Sequence, residues 1–119
     1  MSYVDVVDKV AVPHPDRYYT PPAFEQVSGL PIAYRRQGNG EAVVLFHGAG
    51  FTRMWIPLYE MLAQACDFIA PEQPGFGETP MPKWFRNFDD LTILYDQFLE
   101  QLGVDRIHLI GFSMGGWAA

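Results

Sequence analysis

A glycine, a spaced serine and a second spaced glycine, set directly after an apolar run, leave a chain few ways to fold. Here Ile107-His108-Leu109-Ile110 leads into Gly111-Phe112-Ser113-Met114-Gly115. The pattern specifies a strand that ends in a sharp turn, with the serine hydroxyl held at the top of a sheet. Side chains two before and two after the serine would clash in so tight a turn, and glycine occupies both places. A second run, Ala42-Val43-Val44-Leu45-Phe46, contains no polar side chain. Such a run is expected of a strand buried on both faces of a parallel sheet.

The rest of the chain fits around those two strands. Phe24–Val27 and Ile32–Arg35 read as short strands joined by a turn at Ser28-Gly29-Leu30-Pro31, and Gly38-Asn39-Gly40 is a second turn. Helical spacing begins near Trp55, with Trp55, Leu58, Leu62 and Ala65 on one face and Pro57 confined to the first turn. Cys66–Ala70 is a further strand, and a Pro/Gly-rich loop runs from Pro71 to Pro82. From Asp89 to Leu102, residues Leu91, Leu94, Tyr95, Phe98 and Leu102 mark a second amphipathic helix, with Gly103 at its C′ position. Trp84, Phe85 and Phe88 read as helix-entry packing rather than a substrate platform. Strands alternating with helices imply α/β architecture: right-handed crossovers and a mostly parallel sheet. Residues 1–22, with Pro13, Pro15, Pro21 and Pro22 around Tyr18 and Tyr19, form an arm expected to lie across the body. Residues 23–119 read as one incomplete domain.

Composition narrows the function. Nearly half the residues are apolar (49%), so a packed core is expected. A formal net charge of −6 disfavours a nucleic-acid or anionic-membrane surface. Neither a signal peptide nor a transmembrane run is visible, and a cytoplasmic location is the expectation. The single cysteine, Cys66, reads as a small buried strand residue. Histidine, cysteine and carboxylates show no metal-ligand spacing, so neither metal nor cofactor is expected.

The chemistry concentrates at strand ends. His47-Gly48-Ala49-Gly50 follows the apolar strand, and a glycine-rich turn there can aim backbone N–H groups at a developing oxyanion. Pro74-Gly75-Phe76-Gly77-Glu78-Thr79-Pro80 makes a tight excursion at the same end of the sheet. A dinucleotide loop is ruled out, because Arg53 stands where the third glycine would fall. A phosphate loop is excluded by the lack of Gly-Lys-Ser/Thr. Ser113 as a mere helix cap would leave the surrounding glycines unexplained.

Taken in order, the strand with His47–Gly50, Pro74–Glu78 and Gly111–Gly116 resemble the α/β-hydrolase superfamily across roughly residues 24–119. The resemblance implies an α/β-hydrolase fold ending at its nucleophile elbow, which is the front half of a serine hydrolase domain. It implies Ser113 as nucleophile, the amides of Met114 and Ala49 as oxyanion hole, and Gly111, Gly115, His47, Gly48 and Gly50 as support. A small-molecule carboxylic ester or related acyl compound would be the substrate. Ester hydrolysis, C–C hydrolysis and perhydrolysis all remain open. The family places an acid and then a histidine after the serine, whereas no histidine or carboxylate follows Ser113. His108 lies about 16 Å back along the strand from Ser113, too far to act as base. These 119 residues alone are therefore expected to be inactive and poorly folded, with an open sheet edge. The alternative is a non-catalytic chain that binds an acyl ligand or complements a partner.

Overall fold

The computed structural model describes residues 18–48 and 52–112. Within them a sheet of five strands is flanked by two helices. In chain order these are β1 (Ala23–Val27), β2 (Leu30–Gln37), β3 (Ala42–Phe46), α1 (Pro57–Ala63), β4 (Asp67–Pro71), α2 (Phe88–Gln101) and β5 (Ile107–Gly111). β1 and β2 form a hairpin closed by the pair Val27 and Leu30. Ser28 and Gly29 make its two-residue turn with φ of 50° and 80°, the geometry whose twist matches the strands it joins. β2 extends past the expected Ile32–Arg35 and includes Pro31. That proline lies outside Tyr34–Gln37, the stretch paired to β4, so its missing N–H removes nothing from that ladder.

The spatial order is β1-β2-β4-β3-β5. β3 pairs parallel with both β4 and β5, as crossover connections require, while the β1–β2 hairpin adds antiparallel strands beyond β4. The sheet is thus mixed, with its parallel part at β4-β3-β5. After β3 the chain crosses to β4 on one side, then returns past β3 to β5 on the other. The two crossover helices accordingly cover opposite faces. Leu45 and Phe68 pack with Tyr59 and Ala63 of α1. Val44, Phe46 and Ile69 pack with Leu91, Leu94, Tyr95 and Phe98 of α2. Adjacent residues of β3 therefore serve different cores, which is why the run has no polar position.

α2 forms as its periodicity predicts. Asn87 caps it by accepting the Asp90 N–H at 3.1 Å, and Asp89 and Asp90 lie in the positive first turn. Gly103 follows with φ of 76°, the left-handed conformation a helix terminus uses. Tyr95 stacks on Phe46 with centroids 4.3 Å apart, and burial pushes its phenol well above the ordinary range. Trp84 is exposed, Phe85 packs against the α2 core, and the side chain of Phe88 lies outside the description.

α1 keeps only part of its expected face: Trp55 and Leu62 pack against the core, but Leu58 and Ala65 do not. It begins with Pro57 in the first turn, but Tyr59 and Ala63 are buried while Leu58 is 55% exposed and Ala65 is exposed. Trp55 explains the rotation. It lies before the helix and packs edge-on against Tyr59 and Phe68, each at 5.7 Å, so the helix turns residues 59 and 63 toward the sheet. Cys66 is buried just ahead of β4 rather than within it, its Sγ 3.0 Å from the Leu62 carbonyl.

Among the described residues β5 pairs with β3 alone, and Leu109, Ile110 and Phe112 are exposed. His108 sits on the exposed Glu41 at 3.1 Å, at the amino end of the sheet. Among the described residues no helix is long and apolar enough to cross a membrane. The opposed faces of α2 set a measurable contrast. Phe98, fully buried, should lose about 3–5 kcal/mol on Phe98→Ala. Ile93→Ala, on the exposed face, should change stability by no more than about 0.5 kcal/mol. Urea melts of the two variants would contradict this helix orientation if the losses were equal.

Candidate functional site

In a doubly wound sheet, ligands bind beyond the carboxyl ends of the strands where the winding reverses. Here that point lies at β3, between β4 and β5. The register pairs Phe46 with Gly111, and the Phe112 N–H donates to the Phe46 carbonyl at 3.0 Å. The residue before Ser113 is therefore bonded to the residue before His47. Two segments singled out from sequence meet at one place: the elbow approach and the glycine-rich turn. Gly48, His47 and Gly111 stand there, whereas Ala49, Gly50, Ser113, Met114 and Gly115 lie outside the described residues.

His47 is 2% exposed and committed on both ring nitrogens. Nδ1 lies 2.9 Å from the Gly48 carbonyl, and Nε2 lies 2.9 Å from the Gln73 backbone nitrogen. A carbonyl requires a donor and an N–H requires an acceptor, so the ring is the neutral Nδ1–H tautomer. Gln73 completes the clamp by donating its side-chain amide to the His47 carbonyl at 2.9 Å. Burial lowers the His47 pKa below the ordinary value, opposed by the Gly48 hydrogen bond and by the charge of Glu72. An imidazole held in this way fixes the turn and has no free nitrogen to act as a base.

A buried ionic cluster lies beside it. The Glu72 carboxylate accepts the Arg53 N–H at 2.6 Å through Oε2 and the Glu78 N–H at 3.0 Å through Oε1. Arg35 approaches Glu72 at 3.5 Å and Glu78 at 3.4 Å, and donates Nε–H to the Thr20 carbonyl at 2.7 Å. Glu72 and Arg35 are 2% and 4% exposed. Tyr19 donates its hydroxyl to Glu78 at 3.0 Å, with the Arg35 and Arg53 guanidinium groups 5.6 and 5.4 Å from its ring. Thr79, also buried, accepts the Ala33 N–H at 2.9 Å and ties the Pro74–Glu78 excursion to β2.

Sequence reading did not single out Arg35, Glu72 or Gln73. The available signal was local. Arg35 is a cation inside an otherwise half-buried strand, and Glu72-Gln73 directly follows the apolar run of β4. Neither pattern states its partner, because Arg35 and Glu72 are far apart in sequence.

Comparison with known proteins places this geometry. The family model described as alpha/beta hydrolase fold matches residues 41–119. The chain is 31% identical over 98 residues to the dihydrolipoyllysine-residue acetyltransferase component of the acetoin cleaving system of Cupriavidus necator, covering 81% of this chain and 26% of that protein. It is 39% identical over 82 residues to the pimeloyl-[acyl-carrier protein] methyl ester esterase of Legionella pneumophila strain Lens, covering 68% of this chain and 31% of that one. A crystal structure of a bacterial membrane phospholipase A superposes with a TM-score of 0.75 at 30% identity, covering 82% of this chain and 33% of that chain. The chain thus spans about a third or less of the length of these relatives. With the winding, the turn after β3 and the family match in agreement, the chain belongs to the alpha/beta hydrolase fold family.

Proposed function

We propose that this chain carries the nucleophile end of a serine hydrolase acting on carboxylic esters or related acyl compounds. The observation that carries the reading is the bond from Phe112 to Phe46, which brings the approach to Ser113 against the approach to the glycine-rich turn. Relatives named as a methyl ester esterase and a phospholipase A support an ester as the substrate class.

Ser113 Oγ attacks the acyl carbonyl carbon as its proton passes to a general base. The amides of Met114 and Ala49 receive the oxyanion, the leaving alkoxide takes the proton, and water then releases the acid from the acyl-enzyme. On this reading the base and its acid partner come from outside these 119 residues, which span about a third or less of the length of the relatives they match. His47 serves as a support, because both of its ring nitrogens hold backbone. Gly48 and Gly50 keep the turn free of side chains, and Gly111 and Gly115 do the same for the elbow.

The support role of His47 has a pH consequence. Its pKa is lower folded than unfolded, so the unfolded chain binds more protons below about pH 6.5. The stability it contributes is complete above that pH and is lost as pH falls toward the folded value. His47→Gln should flatten this part of the stability–pH curve between about pH 5 and 7, read by urea melts. An unchanged curve would show that His47 is not buried neutral. For the nucleophile, the intact protein should react with a fluorophosphonate probe and hydrolyse p-nitrophenyl butyrate. Ser113→Ala should abolish the labelling and cut turnover by at least about 10³-fold. Absence of labelling in the unsubstituted protein would favour a binding role instead.

A further inference from the structure

We propose that Glu72, with Arg35 as its counter-ion, is a positioning residue for the reaction at Ser113, acting through the backbone of Arg53. The inference rests on the serine-hydrolase reading above and adds the group that fixes the far end of the turn after β3.

The near end of that turn is held by Gln73, which bonds His47 at both its ring and its carbonyl. The far end is held by Glu72, whose Oε2 accepts the Arg53 N–H at 2.6 Å. Two consecutive residues at the carboxyl end of β4 therefore grip the turn on both sides. Arg53 has φ of 64°, a left-handed conformation that side-chain-bearing residues avoid. Ser28, which shares that conformation, sits in a hairpin turn that demands it. At Arg53 the short bond from Glu72 holds the backbone there.

The site is built for a carboxylate. Three donors converge on it: the Arg53 N–H, the Glu78 N–H and the Arg35 guanidinium. The two oxygens of a carboxylate meet both backbone donors at once, one each. Gly77, at φ of 55°, lies against the carboxylate so closely that a Cβ there would collide with it. The second glycine of Pro74–Glu78 thus makes room for Glu72. The cavity bordered by Arg35, His47, Arg53 and Glu72 is about 10 Å³, at the lower limit for one water.

Glu72→Gln keeps the shape but turns an N–H₂ toward one of the two backbone donors. In the intact protein we expect kcat for p-nitrophenyl butyrate to fall about 10- to 100-fold, the scale of a misplaced catalytic group, with KM within about threefold. The Arg53 amide should exchange with solvent at least about tenfold faster. Adding Arg53→Gly, which adopts positive φ freely, should restore part of kcat in the Glu72→Gln background. Arg53→Gly alone serves as the control, since relief of the left-handed strain can raise stability in any background. The proposal is overturned if Glu72→Gln lowers stability while kcat of the folded protein stays at the parent level, or if Arg53 exchange is unchanged. Should Glu72→Gln fail to fold, Glu72→Asp, one methylene shorter, takes its place with the same readouts. Ser113→Ala runs alongside. Turnover independent of Ser113 removes the serine-hydrolase reading, while Arg53 exchange still decides whether Glu72 holds the turn.

Discussion

β3 is bonded along both edges, to β4 and to β5, and covered on both faces, by α1 and by α2. Its five residues can leave no backbone group or polar side chain without a place in that arrangement. The winding reverses here, so the chain leaving β3 emerges where no crossover helix blocks the carboxyl end of the sheet. The position of the turn at His47-Gly48, and of the approach to residue 113, follows from this pairing. A one-residue slip of β5 against β3 would turn every side chain of β5 to the other face and break the Phe112–Phe46 bond. Burial of Val44, Leu45 and Phe46 in two separate cores is what resists such a slip.

The hydrophobic cores stabilise the sheet but do not determine the path of the turns above it. That task falls to buried polar groups. A buried ion pair contributes little net stability, because desolvation offsets the attraction, so Arg35 and Glu72 are poorly explained as a source of stability. Their value is directional. Leu or Met at position 72 would fill similar space but would not accept an N–H from residue 53 or from residue 78. The same holds for His47 and Gln73, whose exchange of two hydrogen bonds fixes two backbone segments relative to each other. Strand pairing brings the loops together, and these side chains set their course over the last few ångströms.

How far the sequence was readable follows the range of the forces involved. The α2 helix was legible because its signals are local: apolar residues at helical spacing, acidic residues at the first turn and Gly103 at the end. β3 was legible for the same reason. The face of α1 was legible only in part, since a tryptophan outside the helix sets its rotation, and Leu58 is as apolar as Tyr59 in any local pattern. At the site, the glycine-rich turn and the elbow approach were visible as motifs, and their meeting followed from strand order. Arg35 and Glu72 were not visible as a pair. Nothing in either segment specifies a contact 37 residues distant, and only the β2–β4 pairing brings them together.

The charges at this end of the sheet must also agree with the proposed chemistry. Negative charge develops on the substrate oxygen in front of the turn, and an uncompensated carboxylate behind it would oppose that step. Arg35, in contact with both Glu72 and Glu78, offsets that field locally. The charge of Glu72 draws the His47 pKa upward, and burial prevails to keep the ring neutral. A protonated His47 would present an N–H to the Gln73 N–H, and the clamp on the near end of the turn would open. Arg35 thus pairs with both carboxylates behind the turn, while the neutral imidazole of His47 holds its near end.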